Sequence, residues 1–568
     1  MRHLQASGPF LLSVVLSCAG LRAQEAQVQL LRADDDLVVH ADSPQRIRSL
    51  FRVTNLGAVL GDDRGAGIRE RLAAALLPDE EHGSGMRALL LRMLDTDASL
   101  DFAAHFEAAE GGTGDADGVA VLTPAKGLDA NQLAHDIETA LRASGLAIGS
   151  VEVDGVSYST VRVGDGAPLL TLPVLHEGKL VFVLGDHLDK AIARRMAKTT
   201  IGPWPHADAE WKGASLGLHL DLARMTPTWI AYGRPKQEKA LAEAFGLDSL
   251  RHFRLLVRAA GPNIEIDGKL AFDERGPRGI FAGVFTDHPT PPTLAGLATA
   301  DAVDWFAGKF DLQAFAGALM RIAAIYSLPI DGEGDLQKQI AEMRRQSRDL
   351  FGVDIESELG AAFSHEFFVG DAHAFVPDVP APGTVVDGEA VETGFVFAAT
   401  ASDAESLAKS TRALCGSSVA NWLDLDGEAA MREGVEIHGT KDPRIAWLSP
   451  TFVFAFGPRV DDVVTRAALR AKAIRETKEV PLPRILERVR RRFPAGFQGC
   501  GVIDLGSVAS VVLFQLGGFG MLDVSLPEPD QWKAFVEELR TPLHALELDK
   551  VAITTGYSEH AFTLRVHW

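Results

Sequence analysis

Apolar residues fall along this chain in two rhythms. "KLVFVLG" (179–185) and "TFVFAFG" (451–457) are short, nearly continuous apolar runs that end at glycine, the pattern of buried strands. "ANQLAHDIETAL" (130–141) instead places Leu133, Ile137 and Leu141 four apart, which predicts an amphipathic helix. A third pattern is strict alternation. In "VEVDGVSYSTVRVG" (151–164), Val151, Val153, Val161 and Val163 alternate with other residues around a Gly-containing turn, predicting a hairpin. Hairpin strands mixed with separate helices predict an α+β fold rather than a doubly wound parallel sheet.

The same phrases recur in order. "GVAVLTPAKGLDANQLAHDIETAL" (118–141) resembles "GFVFAATASDAESLAKSTRAL" (394–414), each a strand, a polar loop and a helix. "KLVFVLGDHLDKAIARRMA" (179–197) matches "TFVFAFGPRVDDVVTRAAL" (451–469), and "ASLGLHLDLARM" (214–225) matches "QGCGVIDLGSV" (498–508). The starts correspond as well. "DLVVHADSPQRIRSLF" (36–51) and "DAVDWFAGKFDLQAFAGAL" (301–319) both read strand, turn, helix, with Ser43 ahead of Pro44 and Asp311 as N-caps. Four collinear pairs predict two tandem related halves, 28–287 and 296–568, joined by a Pro-rich linker at 288–295. Each half is expected to be a mostly antiparallel sheet with helices packed on one face.

The N-terminus carries a different signal. "MRHLQASGPFLLSVVLSCAGLRAQ" has a basic start, an apolar run from Pro9 to Leu21 and small residues after it, the layout of a signal peptide covering 1–23. Cleavage after Ala19 or Ala23 is expected. Lipid anchoring through Cys18 is a less favoured alternative, because Leu16 and Ser17 only approximate the pattern that precedes a lipoprotein cysteine. The expected location is therefore periplasmic or extracellular. No run of 18 apolar residues predicts a membrane span.

Signal, tandem strand-helix units and phrases such as "GVAVLTPAKGLDANQLAHDIETAL" together resemble an uncharacterised family of exported bacterial proteins, known as a domain of unknown function. The resemblance covers most of the chain beyond the signal. It implies tandem α+β units and export, and it carries over no catalytic residue.

Composition narrows the partners. With 568 residues, a net charge of −21 and a pI near 5.3, the chain lacks the dense positive field that nucleic acid requires. Cys415 and Cys500 are the cysteines that follow the signal, too few for a disulfide framework in so long a chain. Whether they are bridged or are two buried thiols stays open from the sequence.

Several motifs mimic active sites. "SHEFFVGDAHAF" (364–375) offers His365, Glu366 and His373, but a zinc helix needs its second His at position 369, where Val stands. Its alternation predicts a strand, with His365 facing the core and Glu366 facing away. Gly213-Ala214-Ser215-Leu216-Gly217 fits the hydrolase G-x-S-x-G, yet a strand pattern follows the serine instead of preceding it. Asp424, Asp426, Gly427 and Glu433 imitate a calcium loop whose first position is Trp422. "PRILERVRRRF" (483–493) is a basic amphipathic stretch, with Leu486, Val489 and Phe493 as its apolar stripe. None completes a constellation, so no catalytic, metal or cofactor residue is assigned. The expected function is a non-catalytic envelope or periplasmic protein that binds a protein or lipid partner or an apolar ligand. The alternative is an exported hydrolase whose site is assembled from distant residues.

Overall fold

The computed structural model describes residues 30–52, 54, 98–107, 115–143, 147–162, 170–196, 211, 213–230, 235–261, 263–286, 292–299, 302–328, 335–376, 385–386, 389–390, 394–415, 429–439, 444–448, 450–477, 497–504, 550–558 and 560–567. The fold is mixed α+β. Among these residues, those within Met1–Tyr232 and His252–Gly268 form one compact unit. Those within Gly233–Arg251, Lys269–Val508 and Asp549–Trp568 form a second. No helix among them is long and apolar enough to cross a membrane.

The first unit contains β1 (Leu37–Ala41), α1 (Pro44–Arg52), β2 (Ala98–Glu107), β3 (Asp115–Pro124), α2 (Ala130–Ala143), β4 (Ala147–Val153) and β5 (Val156–Arg162). It continues with β6 (Leu170–Thr171), β7 (Val174–His176), β8 (Lys179–Gly185), α3 (Leu188–Met196), β9 (Leu216–Leu220) and α4 (Leu222–Ile230). After α5 (Pro235–Phe245) come β10 (Leu250–Ala260) and β11 (Asn263–Phe272), whose residues are shared between the two units. All pairings in the first unit are antiparallel, in the order β10–β9–β1–β2–β3–β8. β8 then meets β7 and β6, β6 meets β5, and β5 meets β4. Asp154 and Gly155 turn β4 into β5 with φ of 51° and 76°, the left-handed pair that a two-residue hairpin turn needs.

The second unit begins with α5 and α6 (Ile280–Val284), then β12 (Trp305–Lys309), α7 (Leu312–Tyr326), α8 (Leu336–Phe351) and β13 (Phe363–Asp371). A short ribbon, β14 (Val385–Val386) with β15 (Glu389–Ala390), precedes β16 (Phe395–Ala401) and α9 (Ala404–Cys415). Next come β17 (Ala430–Arg432), β18 (Val435–His438), β19 (Arg444–Leu448), β20 (Thr451–Phe456), α10 (Val460–Thr477) and β21 (Gly499–Asp504). β22 (Lys550–Ser558) and β23 (Ala561–His567) complete the unit. Its antiparallel order is β23–β22–β21–β12–β13–β16–β20–β19–β18–β17.

Helices cover both faces of each sheet, which corrects the one-face expectation. In the first unit, Leu133, Ile137 and Leu141 of α2 pack on Leu100, Phe102, Leu122 and Leu180. On the opposite face, Leu188, Ala191 and Ile192 of α3 pack on Val38, Val119, Val181 and Val183. In the second, Leu407 of α9 joins Ile445 and Phe452 on one face. Val463, Val464, Ala467 and Ala468 of α10 cover Trp305, Phe368, Val396 and Val453 on the other. The reason lies in the strands: runs such as "LVFVL" are apolar at odd and even positions, so both faces must be taken from water. Each fully buried Val, Leu or Phe there contributes roughly 2 kcal/mol.

The caps read from sequence form. Ser43 Oγ accepts the Arg46 amide at 2.8 Å, and Asp311 accepts the Ala314 amide at 2.9 Å. The division of the chain differs from a single boundary at 288–295. Residues 235–251 and 269–286 group with the second unit, where Ala244 of α5 packs on Ile322 and Ile325 of α7. Of the expected linker, 292–295 is described, and Leu294 and Ala295 are buried in the second unit's core.

Candidate functional site

The face of the first sheet that α3 covers should be apolar throughout, and across β1 and β2 it is not. Three consecutive cross-strand pairs lie there: Asp36 opposite His105, Val38 opposite Ala103, His40 opposite Asp101. His40 Nδ1 lies 2.8 Å from Asp101 Oδ1, with both side chains under a tenth exposed. His105 Nδ1 lies 2.9 Å from Asp36 Oδ2, and Asp36 Oδ2 also accepts the Phe106 amide at 2.8 Å. The acid sits on β1's side in one pair and on β2 in the other, so the two crossings are reciprocal.

Electrostatics follow the geometry. Burial works against charge on His40, yet the hydrogen bond and charge of Asp101, with Asp42 beyond, outweigh it and hold the imidazole above its ordinary value. His105 is likewise held up by Asp36 against burial and the nearby Arg194. Trp211 sets its ring edge to His40 at 6.0 Å between centroids. A Cβ on Gly217, the β9 neighbour of His40, would collide with that ring.

Beside the His105 crossing, a strap of acids ties α3 to the sheet. Arg195, whose side chain is fully buried, reaches Asp35 at 2.7 Å and Asp117 at 2.5 Å. Arg194 reaches Asp34 and Asp117, each at 2.6 Å. These ion pairs hold α3 to β3 and to the residues ahead of β1, which is a structural role.

Sequence reasoning missed this cluster, though a signal was present. Asp36 and His40 are four apart, and so are Asp101 and His105. Two such strings on antiparallel neighbours bring each acid to a histidine.

The residues singled out from sequence fare differently. Of the stretch 364–375, the part up to Asp371 does form a strand, β13, but its faces are reversed. His365 is the more exposed, with Nδ1 3.9 Å from Asp311. Glu366 turns inward, shares the parity of the fully buried Phe368 and accepts the Leu294 amide at 2.6 Å and the Thr293 hydroxyl at 2.9 Å. Both parities of β13 carry phenylalanine, so alternation alone did not fix which side was the core. Burial raises Glu366 above the usual carboxylate range against the pull of those donors. His373 lies beyond the strand in the short turn Ala372–Ala374.

Ser215 is buried and enters β9, two residues before Gly217, as a turn leading into a strand. Its Oγ makes no hydrogen bond among the described residues. Asp424, Asp426 and 483–493 lie outside the described residues. Glu433 occupies the turn between β17 and β18 at φ 51°, not a calcium loop's exit helix. Cys500 is a free, buried thiol that burial pushes up to about 12, away from the thiolate form that reacts. Cys415 is the last residue of α9. No group of three His, Cys, Asp or Glu side chains placed to hold a metal occurs among the described residues.

No protein-family model and no curated protein matches the chain. Solved structures of TP0453 in crystal forms IV, III and I align with 43%, 44% and 44% of it. The alignments cover 79%, 82% and 79% of those chains, at 9%, 9% and 10% identity and TM-scores of 0.23, 0.22 and 0.23. Likeness of that degree assigns neither fold nor role.

Proposed function

We propose that this is an exported, non-catalytic envelope protein, periplasmic or extracellular, made of two copies of one α+β unit and acting by binding a protein or lipid partner. One observation carries the non-catalytic part. Three buried or half-buried groups with displaced pKa values are tied to internal partners: His40 to Asp101, His105 to Asp36, and Glu366 to Thr293 and Leu294. Structural networks of this kind displace pKa values as active sites do, so the shifts alone need no catalytic role.

Duplication is supported by strand order. Reading β9–β1–β2–β3–β8 against β21–β12–β13–β16–β20, each strand has a counterpart at the same place. With Val181 set on Val453, the row His40–Asp101–Val121–Val181 falls on Ala307–Phe368–Ala398–Val453. α2 and α9 follow β3 and β16, and α3 and α10 follow β8 and β20. Export rests on residues 1–23, and the family resemblance on the same tandem layout.

The hydrolase alternative has one point in its favour: Ser215, His40 and Asp101 stand on or beside the consecutive strands β9, β1 and β2. A single experiment separates the readings. The full chain is expressed with its N-terminus intact, recovered from the envelope fraction and analysed for mass, bound lipid and bound protein. It is then treated with a fluorophosphonate probe and an ester panel. The proposal expects a mature mass lacking the first 19 or 23 residues, retained lipid or protein and no labelling of Ser215. Ester turnover with Ser215 labelled establishes the hydrolase instead.

A further inference from the structure

The reciprocal crossings of β1 and β2 stand where the second sheet is apolar. By register, Asp36–His105 corresponds to Val303–Ala372, Val38–Ala103 to Trp305–Gly370, and His40–Asp101 to Ala307–Phe368. An apolar row suffices to hold such a sheet, so the ionisable one needs another reason.

We propose that the two His–Asp crossings are a pH-responsive clamp: with both histidines protonated they lock β1 to β2 in the first unit, and as pH rises they release it, while the second unit's apolar row is indifferent. The physical basis is the asymmetry of a buried pair. Protonated His against Asp is neutral overall and hydrogen-bonded. Loss of the proton leaves a buried carboxylate without the charge of its nearest partner, a costly state for a covered sheet face. Both histidines have folded values above the ordinary 6.5. Their stabilisation is therefore complete below about pH 6.5 and disappears as pH climbs through the folded values.

The charges acting on each histidine do not reverse that sign. The face between the two crossings also carries the buried His219 of β9, opposite Val38 and stacked on His252, with Arg254 of β10 opposite it. His40 meets Asp101 from β2, Asp42 from the end of its own strand and, opposing it, Arg46 from α1. Lys179 of β8 acts on Asp101 from the far side. His105 meets Asp36, the Asp34 carbonyl and, across β3, Asp117, with Arg194 of α3 opposing. Arg224 of α4 stands 3.7 Å from Asp36 and softens the cost of its unpaired state. The His40 crossing, with no arginine that close to Asp101 among the described contacts, is the stronger element of the clamp.

Hydrogen exchange read by mass spectrometry, corrected for intrinsic rates, tests this within one molecule. Peptides covering β1 and β2 are compared with those covering β16 and β20, strands of the second unit that carry no ionisable side chain, between about pH 5.5 and about pH 8.5, bracketing the ordinary histidine value. Protection of the β1–β2 peptides is expected to fall on the order of tenfold or more relative to β16–β20 as pH rises. Replacing the pairs by their second-unit counterparts (Asp36→Val, His105→Ala, His40→Ala and Asp101→Phe together) should abolish that relative fall. Should the fourfold variant not fold, His40→Gln with His105→Gln serves the same purpose, since neither glutamine titrates. A wild-type ratio that stays flat across this range overturns the proposal, as does a fall that survives in the variant that folds.

Discussion

Asp371 shows how much one carboxyl can set. It ends β13, accepts the His373 amide at 2.7 Å, and lies close enough to Asp304 to feel its charge. Burial pushes its pKa up to about 6, against the His373 amide and with the help of Asp304. The folded value lies above the ordinary 3.8, so the unfolded chain gives up this proton first. Stability is accordingly highest below 3.8 and falls as pH rises through about 6, the opposite of a salt-bridged aspartate. Asp371→Asn keeps an acceptor for the amide and removes the ionisation. It should stabilise the second unit near neutral pH by on the order of 1 kcal/mol, after discounting for partial exposure, and change little in acid. Urea midpoints at the two pH values check this; equal shifts at both would show that the carboxylate's charge is not what strains the site. Little of this was legible in sequence. "VGDAHAF" shows the acid, but its neighbour Asp304 is distant in the chain and meets it only through the β12–β13 register.

At the scale of the element, the strands and helices were legible because their apolar periods are unmixed, and the caps because Ser43 and Asp311 stand just before helical patterns. Which face each helix covers was not, because a strand apolar at every position carries no mark of which side its helix takes. β9 adds a constraint that reads only from packing. Gly217 sits opposite His40 and beneath Trp211, where any Cβ meets the indole. Its counterpart by register is Cys500, which stands opposite Ala307 and carries a side chain where β9 has none. Gly217→Ala should therefore destabilise the first unit by about 1–3 kcal/mol through overpacking. Cys500→Ala, which only trims a small side chain, should cost less. Thermal unfolding of the two variants measures both, and a neutral Gly217→Ala would mean that Trp211 can leave its place freely.

On the scale of the whole chain, the proposed duplication rests on a binary pattern and an element order that recur while the residues differ. The grouping of 235–251 and 269–286 with the second unit was not foreseeable, since an amphipathic helix does not declare which core it joins. Each unit has cores of its own: α2 and α3 bury theirs on the first sheet, α9 and α10 on the second. Separate cores predict separate cooperative blocks. Val181 in β8 and Val453 in β20 are both fully buried and occupy the same place in their rows. Truncating either to alanine removes two methyl groups from a sheet centre, so the losses should be alike, about 1.5–3 kcal/mol. They should appear in different places, with Val181→Ala moving one step of a urea unfolding curve and Val453→Ala the other. Exchange at β3 and β16 peptides, read along the same curve, assigns each step to its unit. If each valine shifts both steps equally, the two units unfold as one block and the separate-core argument fails; if one valine is silent while the other is costly, the rows are not equivalent and the duplication loses its support in register.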